Sequence, residues 1–392
     1  MPLLVEGEAP APFSLTAKDQ DQVDWFERAS LLSAAQAFLN GDFEITGDLP
    51  AAVRYKRAHA GGLAQWFWNA TARLRPWRIE ALLQSKSRAA RNVRYHYDRP
   101  DAFYRCFLDR RMVYSCAYFR DPSWPLERAQ EEKLDLICRK LDLKPGERFV
   151  DVGCGWGALL FHAARHYGAS ATGCTLSPSQ AESASAMAEG FHGRIKVHLR
   201  DYRELEGTYD KIASVGMYEH VGIRRLPGYF RTIHGLLASD GLFLNHGIVR
   251  PQGVHDDAES LFLSRHVFPG GELPRLAQVV KAAEEGGFEV LDAENLRPHY
   301  ALTCRAWLQR LQENRGACLK AVDAVTYRTW LLYLAGSASG FEDGQIDIFQ
   351  LLLAKRSHPG PRRMSREYMY RATQGPGSGS ASSRNAAAPR RR

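Results

Sequence analysis

The stretch FVDVGCGWGALLFHAARHYG, residues 149–168, decides the fold. A short apolar strand runs directly into three glycines, Gly153, Gly155 and Gly157, and a helical segment follows them. Glycine lets a ligand approach the backbone closely, and the first turn of a helix has unpaired N–H groups. The pattern therefore predicts a ligand-binding loop between a strand and a helix of an α/β domain.

The spacing of these glycines narrows the class of ligand. It does not fit the dinucleotide fingerprint GxGxxG, and no GKS or GKT phosphate-binding motif is present in the chain. The segment DVGCGWG resembles instead the glycine-rich first loop of S-adenosylmethionine-dependent methyltransferases. The loop therefore favours that cofactor over nucleoside triphosphates and dinucleotides.

Around this loop, short apolar strands alternate with helical segments, which predicts a parallel sheet covered on both faces. The seven strand candidates are RFVDV, SATGCTL, IKVHL, DKIASVG, GLFLNHG, FEVLDAE and DIFQLLLAKR. The last candidate follows its neighbour without a clear crossover helix, which is compatible with an antiparallel insertion. We predict a Rossmann-like class I methyltransferase fold with a seven-stranded, mostly parallel sheet and a small N-terminal domain.

The chain of 392 residues divides into three parts. We assign 1–85 to a small N-terminal domain that is a candidate for lipid docking, 86–357 to the catalytic domain and 358–392 to a basic tail expected to be disordered. Helical spacing of apolar residues occurs over 23–38, over 63–90 and from about 127 to 141.

Composition bears on the compartment. No apolar run reaches the roughly 18 residues of a membrane span, and the N-terminus does not look like a secretory signal. The seven cysteines form no CxxC pair, which argues against a disulfide framework and a structural zinc site. We therefore expect a cytoplasmic protein without a metal.

Basic residues concentrate between residues 51 and 111, where fourteen Lys or Arg oppose four Asp or Glu. Trp66, Phe67, Trp68 and Trp77 lie among them. Cations interleaved with aromatic rings suit an anionic membrane surface, and nucleic acid is a less favoured partner. The alternative is a solvated helical face whose aromatic residues lie in the core.

Five motifs carry a resemblance to one family. They are HYD at 96–98, MVYSCAYF at 112–119, DVGCGWG at 151–157, TLS with the nearby Gln180, and SVGMYEHVG at 214–222. Over roughly 88–355 the chain resembles the cyclopropane fatty acid synthases, which include the mycolic acid cyclopropane synthases. The segment GDFEITGDL at 41–49 is similar, more weakly, to the small N-terminal domain of bacterial members.

The resemblance implies an activity. These enzymes transfer a methyl group from S-adenosylmethionine to a cis double bond of a phospholipid acyl chain. Loss of a proton from the added methyl then converts a carbocation into a cyclopropane ring, with bound bicarbonate as the base. The family's bicarbonate-contacting positions correspond to Cys116, Glu219, His246, Ile248 and Tyr300.

The cofactor-binding residues are expected in three places. The first is around the glycine loop, and the second is after the second strand, where hydroxyls and an amide could bind the ribose. The third is after the third strand, where an acid and an aromatic ring suit adenine. These cofactor-binding residues are Tyr114, Ser115, Asp151, Gly153, Gly155, Gly157, Thr175, Leu176, Ser177, Gln180, Asp201 and Tyr202.

The order of the strands supports a common site independently of the resemblance. Glu219 follows the fourth strand, His246 the fifth and Tyr300 the sixth, and ligands of open α/β sheets bind at the carboxyl ends of strands. Cys116 precedes the sheet, on a segment that could fold over this edge as a lid. Asn245 stands where an apolar residue is expected, and could alter the pocket.

Each residue also has a plain structural interpretation. Cys116 could be a small buried hydrophobe, Glu219 a helix cap, His246 a satisfied core histidine, and Tyr300 a packing residue.

Three other functions stay open. They are methyl or methylene branching of an acyl chain without ring closure, N-methylation of a small amine, and lipid-surface binding by an inactive domain. The presence of Cys116, Glu219 and His246 argues against the last. We expect a peripheral membrane enzyme with a phospholipid substrate, an anionic membrane surface as partner, no nucleic acid and a possible homodimer.

Overall fold

The computed structural model describes residues 2–3, 12–59, 99–254, 258–268, 271–359 and 363–371. The N-terminal part contains a three-stranded antiparallel sheet and three helices. Its strands are β1 (Pro2–Leu3), β2 (Phe13–Thr16) and β3 (Glu44–Gly47). Its helices are α1 (Gln20–Arg28), α2 (Leu31–Asn40) and α3 (Leu49–His59).

The helical pattern at 23–38 forms two helices rather than one. Ala29 and Ser30 adopt extended backbone conformations, and the Ser30 side chain accepts a hydrogen bond from the Ser33 N–H at the start of α2. A serine at this position satisfies an N–H group that has no partner inside the helix. The predicted helix at 63–90 lies outside the described residues.

The large sheet confirms the predicted fold class. Its order is β6-β5-β4-β7-β8-β10-β9, and β10 runs antiparallel to both neighbours. All seven strand candidates form these strands. They are β4 (Arg148–Val152), β5 (Ser170–Thr175), β6 (Ile195–Leu199), β7 (Tyr209–Val215), β8 (Leu237–Val249), β9 (Phe288–Asn295) and β10 (Asp347–Lys355).

Eleven α-helices are described in the rest of the chain. They are α4 (Asp101–Tyr104), α5 (Leu126–Lys140), α6 (Ala158–His166), α7 (Pro178–Ala188), α8 (Leu226–Leu236), α9 (Ala258–His266), α10 (Leu276–Glu285), α11 (Arg297–Glu313), α12 (Arg315–Ala321), α13 (Ala324–Glu342) and α14 (Glu367–Tyr370). Members of this set cover both faces of the sheet: on one face Leu134 and Leu160 pack with Leu352, and on the other Phe230 packs with Phe243. Burial on both faces explains why the middle strands are rich in apolar residues.

The N-terminal part packs on α13 of the catalytic domain. Arg57 forms an ion pair with Asp343 at 2.9 Å, and Arg54 forms one with Glu342 at 2.5 Å. Lys56 is buried and donates to the Phe26 and Glu27 carbonyls. These three cations therefore bind within the protein. The sequence predicts membrane docking by the segment from Arg54 to Arg94, of which residues 60–94 lie outside the described residues.

The catalytic fold extends beyond residue 357, where the sequence predicted a disordered tail to begin. Met369 is buried against α5, and its carbonyl accepts a hydrogen bond from Arg139 Nε at 2.7 Å. Arg366 pairs with Asp292 at 2.6 Å. Basic residues that looked like a solvated tail thus find acidic partners on the domain. Residues 372–392 lie outside the described part of the chain.

Among the helices that the structure describes, none combines the length and the apolar character that crossing a bilayer requires.

Candidate active site

A cavity of about 550 Å³ opens beside the glycine loop at the carboxyl ends of β4, β5 and β7. Ten of the twelve predicted cofactor residues line it. They are Tyr114, Ser115, Asp151, Gly153, Gly155, Thr175, Leu176, Gln180, Asp201 and Tyr202.

The other two predicted residues, Gly157 and Ser177, do not line this cavity and have structural roles. Gly157 has φ 86° at the start of α6, and a Cβ there would lie 2.8 Å from the Phe161 ring. Ser177 caps α7 by accepting from the Gln180 N–H. In contrast, Gly155 has φ 54°, and no heavy atom of the described residues lies within 4 Å of the position of a Cβ, so its backbone is open to a ligand.

The residues expected to bind the nucleoside already form hydrogen bonds within the protein. The Asp201 carboxylate accepts hydrogen bonds from Arg203 Nε at 2.7 Å and Nη2 at 2.6 Å. Thr175 Oγ1 donates to Gln180 Oε1 at 2.7 Å. Asp201 therefore meets a ligand as half of an ion pair rather than as an isolated acid.

Lys133 lines the cofactor cavity and was missed by sequence reasoning. It lies on α5, is buried, and donates from Nζ to Ser115 Oγ at 2.9 Å. Burial lowers the pKa of Lys133 to about 8 and raises the pKa of the nearby Asp151 to about 7. Lysines on amphipathic helices are ordinarily exposed, so no pattern in the sequence marked this one.

A second cavity, of about 450 Å³, contains all five residues predicted to contact bicarbonate: Cys116, Glu219, His246, Ile248 and Tyr300. Tyr114, Ser115, Gly216 and His220 line both cavities, so the two adjoin. A cofactor in the first cavity would therefore face a ligand in the second.

Glu219 lies in the 3₁₀ turn Tyr218–His220, directly after β7. Its Oε1 accepts a hydrogen bond from the Ile248 N–H at 2.7 Å, so it bridges to β8 and does not cap a helix. Its Oε2 is buried and has no hydrogen-bond partner among the described residues. Burial raises the pKa of this carboxyl to about 7, which lets it exchange a proton near neutral pH.

His246 lies within β8 and faces the second cavity. Its Nε2 is buried without a partner in the described part of the chain, so it is not a satisfied core histidine. Burial, with Lys133 and Lys140 nearby, holds the pKa of the ring well below its usual value and keeps it neutral. Asn245, the unexpected polar neighbour, lines neither cavity and accepts a hydrogen bond from the Tyr229 hydroxyl at 2.9 Å.

The segment that contains Cys116 is fixed in place. The Ala117 N–H donates to Thr303 Oγ1, and the Phe119 N–H donates to His299 Nδ1, both at 3.0 Å on α11. This segment is therefore a packed wall and not the lid that the sequence suggested. Cys116 is fully buried, and burial raises the pKa of its thiol, so it is not a thiolate nucleophile.

Apolar side chains form much of the rest of the second cavity. Tyr300 stacks on Phe341 with ring centroids 4.6 Å apart, and Phe268 packs edge-on against Tyr333. The N-terminal part contributes four further residues, which the sequence did not connect with the site. They are Leu31, Leu32, Ala35 and Val53.

The sheet order, with β10 inserted antiparallel, and the ligand cavity over the glycine loop define a Rossmann-like S-adenosylmethionine-dependent methyltransferase. Residues 84–351 match the family model described as mycolic acid cyclopropane synthetase. The chain belongs to this family.

Individual relatives agree with this assignment. A probable fatty acid methyltransferase from Pseudomonas putida is 38% identical over 375 residues, which cover 92% of this chain and 93% of the relative. The structure of the cyclopropane synthase MmaA2 from Mycobacterium tuberculosis superposes with a TM-score of 0.66 at 34% identity, covering 70% of this chain and 99% of that one.

A mycolic acid cyclopropane synthase, CmaA1, was solved in complex with SAH and CTAB. It superposes with a TM-score of 0.65 at 35% identity, covering 68% of this chain and 98% of its own. SAH is what S-adenosylmethionine becomes after it has given up its methyl group, so this likeness supports S-adenosylmethionine as the cofactor here.

Proposed function

We propose that the protein transfers a methylene unit from S-adenosylmethionine to a cis double bond in an acyl chain of a phospholipid and forms a cyclopropane ring. The observation that best supports this proposal is that the cofactor cavity and the second cavity adjoin. One is lined by the glycine loop, and the adjoining one combines apolar walls with the buried polar atoms Glu219 Oε2 and His246 Nε2.

The chemistry requires both features. S-adenosylmethionine supplies a methyl group bound to a sulfonium sulfur. When the π electrons of the alkene form a bond to that methyl, the other alkene carbon becomes a carbocation. Loss of one proton from the new methyl lets the C–H electrons close the ring, so the acyl chain gains one CH2. A carbocation reacts with water, so a dry site is needed.

The residues of the second cavity suit this intermediate. The stacked pair of Tyr300 and Phe341 and the edge-on pair of Phe268 and Tyr333 present aromatic rings, and these attract cations. Cys116 and His246 are almost wholly shielded from bulk solvent. Neither offers a charged nucleophile that would trap the carbocation.

A bicarbonate ion fits the polar end of the cavity. His246 Nε2 and Glu219 Oε2 are buried and have no hydrogen-bond partner among the described residues. The Ile248 N–H already donates to Glu219. A neutral imidazole N–H can donate a hydrogen bond to an oxyanion, and an ionised carboxylate can accept one from the O–H of bicarbonate. When bound, bicarbonate would supply an oxygen base, and Glu219 and His246 would hold it.

A charged lipid headgroup is compatible with the same cavity. Arg250 and Arg275 line it, together with Glu272. The basic and aromatic residues between 51 and 111 support the proposal that the protein works as a peripheral enzyme on an anionic membrane surface.

Mass spectrometry of lipids from cells that express the chain tests the proposed reaction. We expect unsaturated acyl chains to gain one CH2 and to lose their alkene signals, with upfield cyclopropane protons in the NMR spectrum. An unchanged lipid profile, with methylated amines instead, would contradict the proposal.

Methyl branching without ring closure is the second candidate. The relative from Pseudomonas putida, which covers almost the whole chain, is named a probable fatty acid methyltransferase. Branching uses the same methyl transfer, but the carbocation then undergoes a hydride shift and loses a proton to leave a methylene branch. A saturated methyl branch would require a further hydride donor. The NMR spectrum separates the two outcomes, because only a ring gives upfield cyclopropane signals.

A further inference from the structure

Behind His246, on the next strand, lies a glutamine that the proposed reaction does not use directly. Gln350 of β10 is paired with His246 of β8 in the antiparallel register. Its side chain is 0% exposed and does not line either cavity. Its Nε2 lies 3.2 Å from His246 Nδ1, which is a hydrogen-bond distance.

A buried glutamine in the middle of an apolar strand needs an explanation. Its neighbours along β10 on both sides, Phe349 and Leu351, are apolar, as is Leu352 on the same face. Burying an amide without full hydrogen bonding costs stability, and Gln350 Oε1 has no partner within the described residues. A leucine would therefore fit this core better, unless the amide serves the imidazole.

We propose that Gln350 is a positioning residue that holds His246 in the tautomer with its proton on Nε2. An amide nitrogen donates, so it makes Nδ1 the acceptor and leaves the ring proton on Nε2. Nε2 is the ring nitrogen without a partner among the described residues, and His246 lines the second cavity. Gln350 thus makes His246 a hydrogen-bond donor toward the site, which suits an anion and does not suit a cation.

This inference rests on the proposed role of His246, and it adds what sets that role. The charged and titratable groups around the imidazole are Lys133 and Lys140 on α5 and Glu219 after β7. Both lysines disfavour an imidazolium, so a neutral ring is expected, and Gln350 determines which of its two nitrogens carries the proton.

Two variants separate positioning from packing. Gln350→Leu keeps the core filled but removes the donor to Nδ1. Gln350→Glu places an acceptor there, which draws the ring proton to Nδ1. Leu352→Val is the control, because it trims the same face of β10 two residues away, where the paired residue is Leu244.

The direct test is nitrogen NMR of the full-length protein labelled with ¹⁵N-histidine, without substrate, with the His246 signal assigned by its absence in His246→Asn. We expect the Nε2–H tautomer in the wild type and in Leu352→Val, and the Nδ1–H form in Gln350→Glu. A wild-type proton on Nδ1, or a tautomer that neither Gln350 variant alters, would overturn the proposal.

Kinetics provide the second readout. Loss of a partner that orients a histidine typically reduces activity about ten- to hundredfold. We expect this loss in kcat in both Gln350 variants, with little change in KM for lipid or in affinity for SAH. A shifted tautomer with unchanged kcat would also overturn the positioning role. Because NMR reads the tautomer without substrate, a wrong assignment of the lipid substrate would not be mistaken for a failure of this inference.

Discussion

Glu219 and His246 bring two buried, titratable side chains to the boundary between the cofactor cavity and an apolar cavity. Each has one polar atom engaged by the protein and one polar atom directed to the site without a partner among the described residues. This half-satisfied state distinguishes them from structural polar groups, because buried polar atoms are ordinarily paired.

Replacing Glu219 by Gln tests its role in proton removal. We expect turnover to fall about 10²–10⁴-fold, the usual contribution of a general base, while SAH affinity stays nearly unchanged. In the wild type, activity should rise as pH increases through about 7, because the ionised carboxylate is the form that accepts a proton.

Lys133 and Asp151 titrate in the same region, with pKa values of about 8 and about 7. Comparing the pH–rate profiles of the wild type and Glu219→Gln therefore shows whether Glu219 is responsible. The rise in activity near pH 7 should be absent from the profile of Glu219→Gln. Full activity of this variant across the pH range would contradict the assignment.

The Glu219→Gln substitution, which should lower turnover, should make the folded state more stable relative to wild type as the pH rises. The pKa of Glu219 is raised in the folded state from its ordinary 4.5 to about 7, so the folded protein binds this proton more tightly than the unfolded chain. Stability from this group is complete below pH 4.5 and is lost as the pH rises through 7.

Glutamine does not ionise, so the free energy of unfolding of Glu219→Gln, relative to wild type, should increase by on the order of 3 kcal/mol between pH 4.5 and pH 8. Chemical denaturation at the two pH values measures this change. A difference that does not depend on pH would mean that Glu219 ionises normally.

Gly155 tests the cofactor cavity. Gly155→Val places a side chain where the backbone is open to the ligand, so SAH affinity should fall strongly in calorimetry. Gly146→Val is a matched control, because Gly146 also has a positive φ, 82°, and no heavy atom of the described residues within 4 Å of its Cβ position, but does not line the cavity. Equal affinities in both folded variants would exclude the glycine loop as the binding site.

At the level of elements, the N-terminal helices complete the proposed acyl cavity. Leu31, Leu32 and Ala35 of α2 and Val53 of α3 line it opposite residues of the catalytic domain. The family model begins at residue 84, so this wall lies outside the part of the chain that the model matches. The N-terminal part therefore has the position to influence which acyl chains fit.

Ala35→Phe should narrow this cavity. We expect the products to shift toward shorter acyl chains, with SAH affinity unchanged, when a mixture of phospholipids is assayed by mass spectrometry. Gln36→Phe adds the same ring at the next residue, which is exposed and does not line the cavity. A chain-length distribution that is the same in both variants and the wild type would exclude α2 as a specificity element.

Several features of the sheet and of the candidate site could be predicted from the sequence. Local periodicity predicted all seven strands of the large sheet, and the antiparallel direction of β10 was allowed for. The reason given for it was wrong, because three helices, α11 to α13, connect β9 to β10. The convergence of Glu219, His246 and Tyr300 followed from strand order alone. These features depend on neighbouring residues or on the general geometry of α/β sheets.

Lys133, Gln350 and the wall formed by α2 were not predicted. Each acquires its role from contacts between elements far apart in the chain, such as the pairing of β10 with β8. Likewise, the Cys116 segment looked like a lid because its bonds to Thr303 and His299 on α11 cannot be read from its own residues.

At the scale of the whole molecule, the open question is how a protein reaches an acyl chain within a bilayer. The basic segment from Arg54 to Arg94 was predicted to dock on anionic membrane, and Arg54, Lys56 and Arg57 instead bind within the protein. For the rest of the segment, which lies outside the described residues, docking stays a prediction.

Reversing Arg73, Arg75 and Arg78 to Glu should release the protein from anionic vesicles, since each basic residue contributes about 1 kcal/mol near such a surface. The same reversal of the exposed Lys18, Lys281 and Lys320 matches the change in net charge and should have a smaller effect. Sedimentation with neutral and anionic vesicles at low and high salt measures binding. Equal binding of both variants to both kinds of vesicle would contradict docking through this segment.

In the proposed reaction, methyl transfer to a lipid alkene ends in ring closure. The most direct measurement is incubation of the purified protein with unsaturated phospholipid vesicles and S-adenosylmethionine carrying a trideuterated methyl group, followed by mass spectrometry and NMR of the acyl chains. We expect a cyclopropane that retains two of the three deuterons, because one leaves when the ring closes. An exocyclic methylene branch in place of the ring, or label found only on a nitrogen, would contradict the proposed reaction.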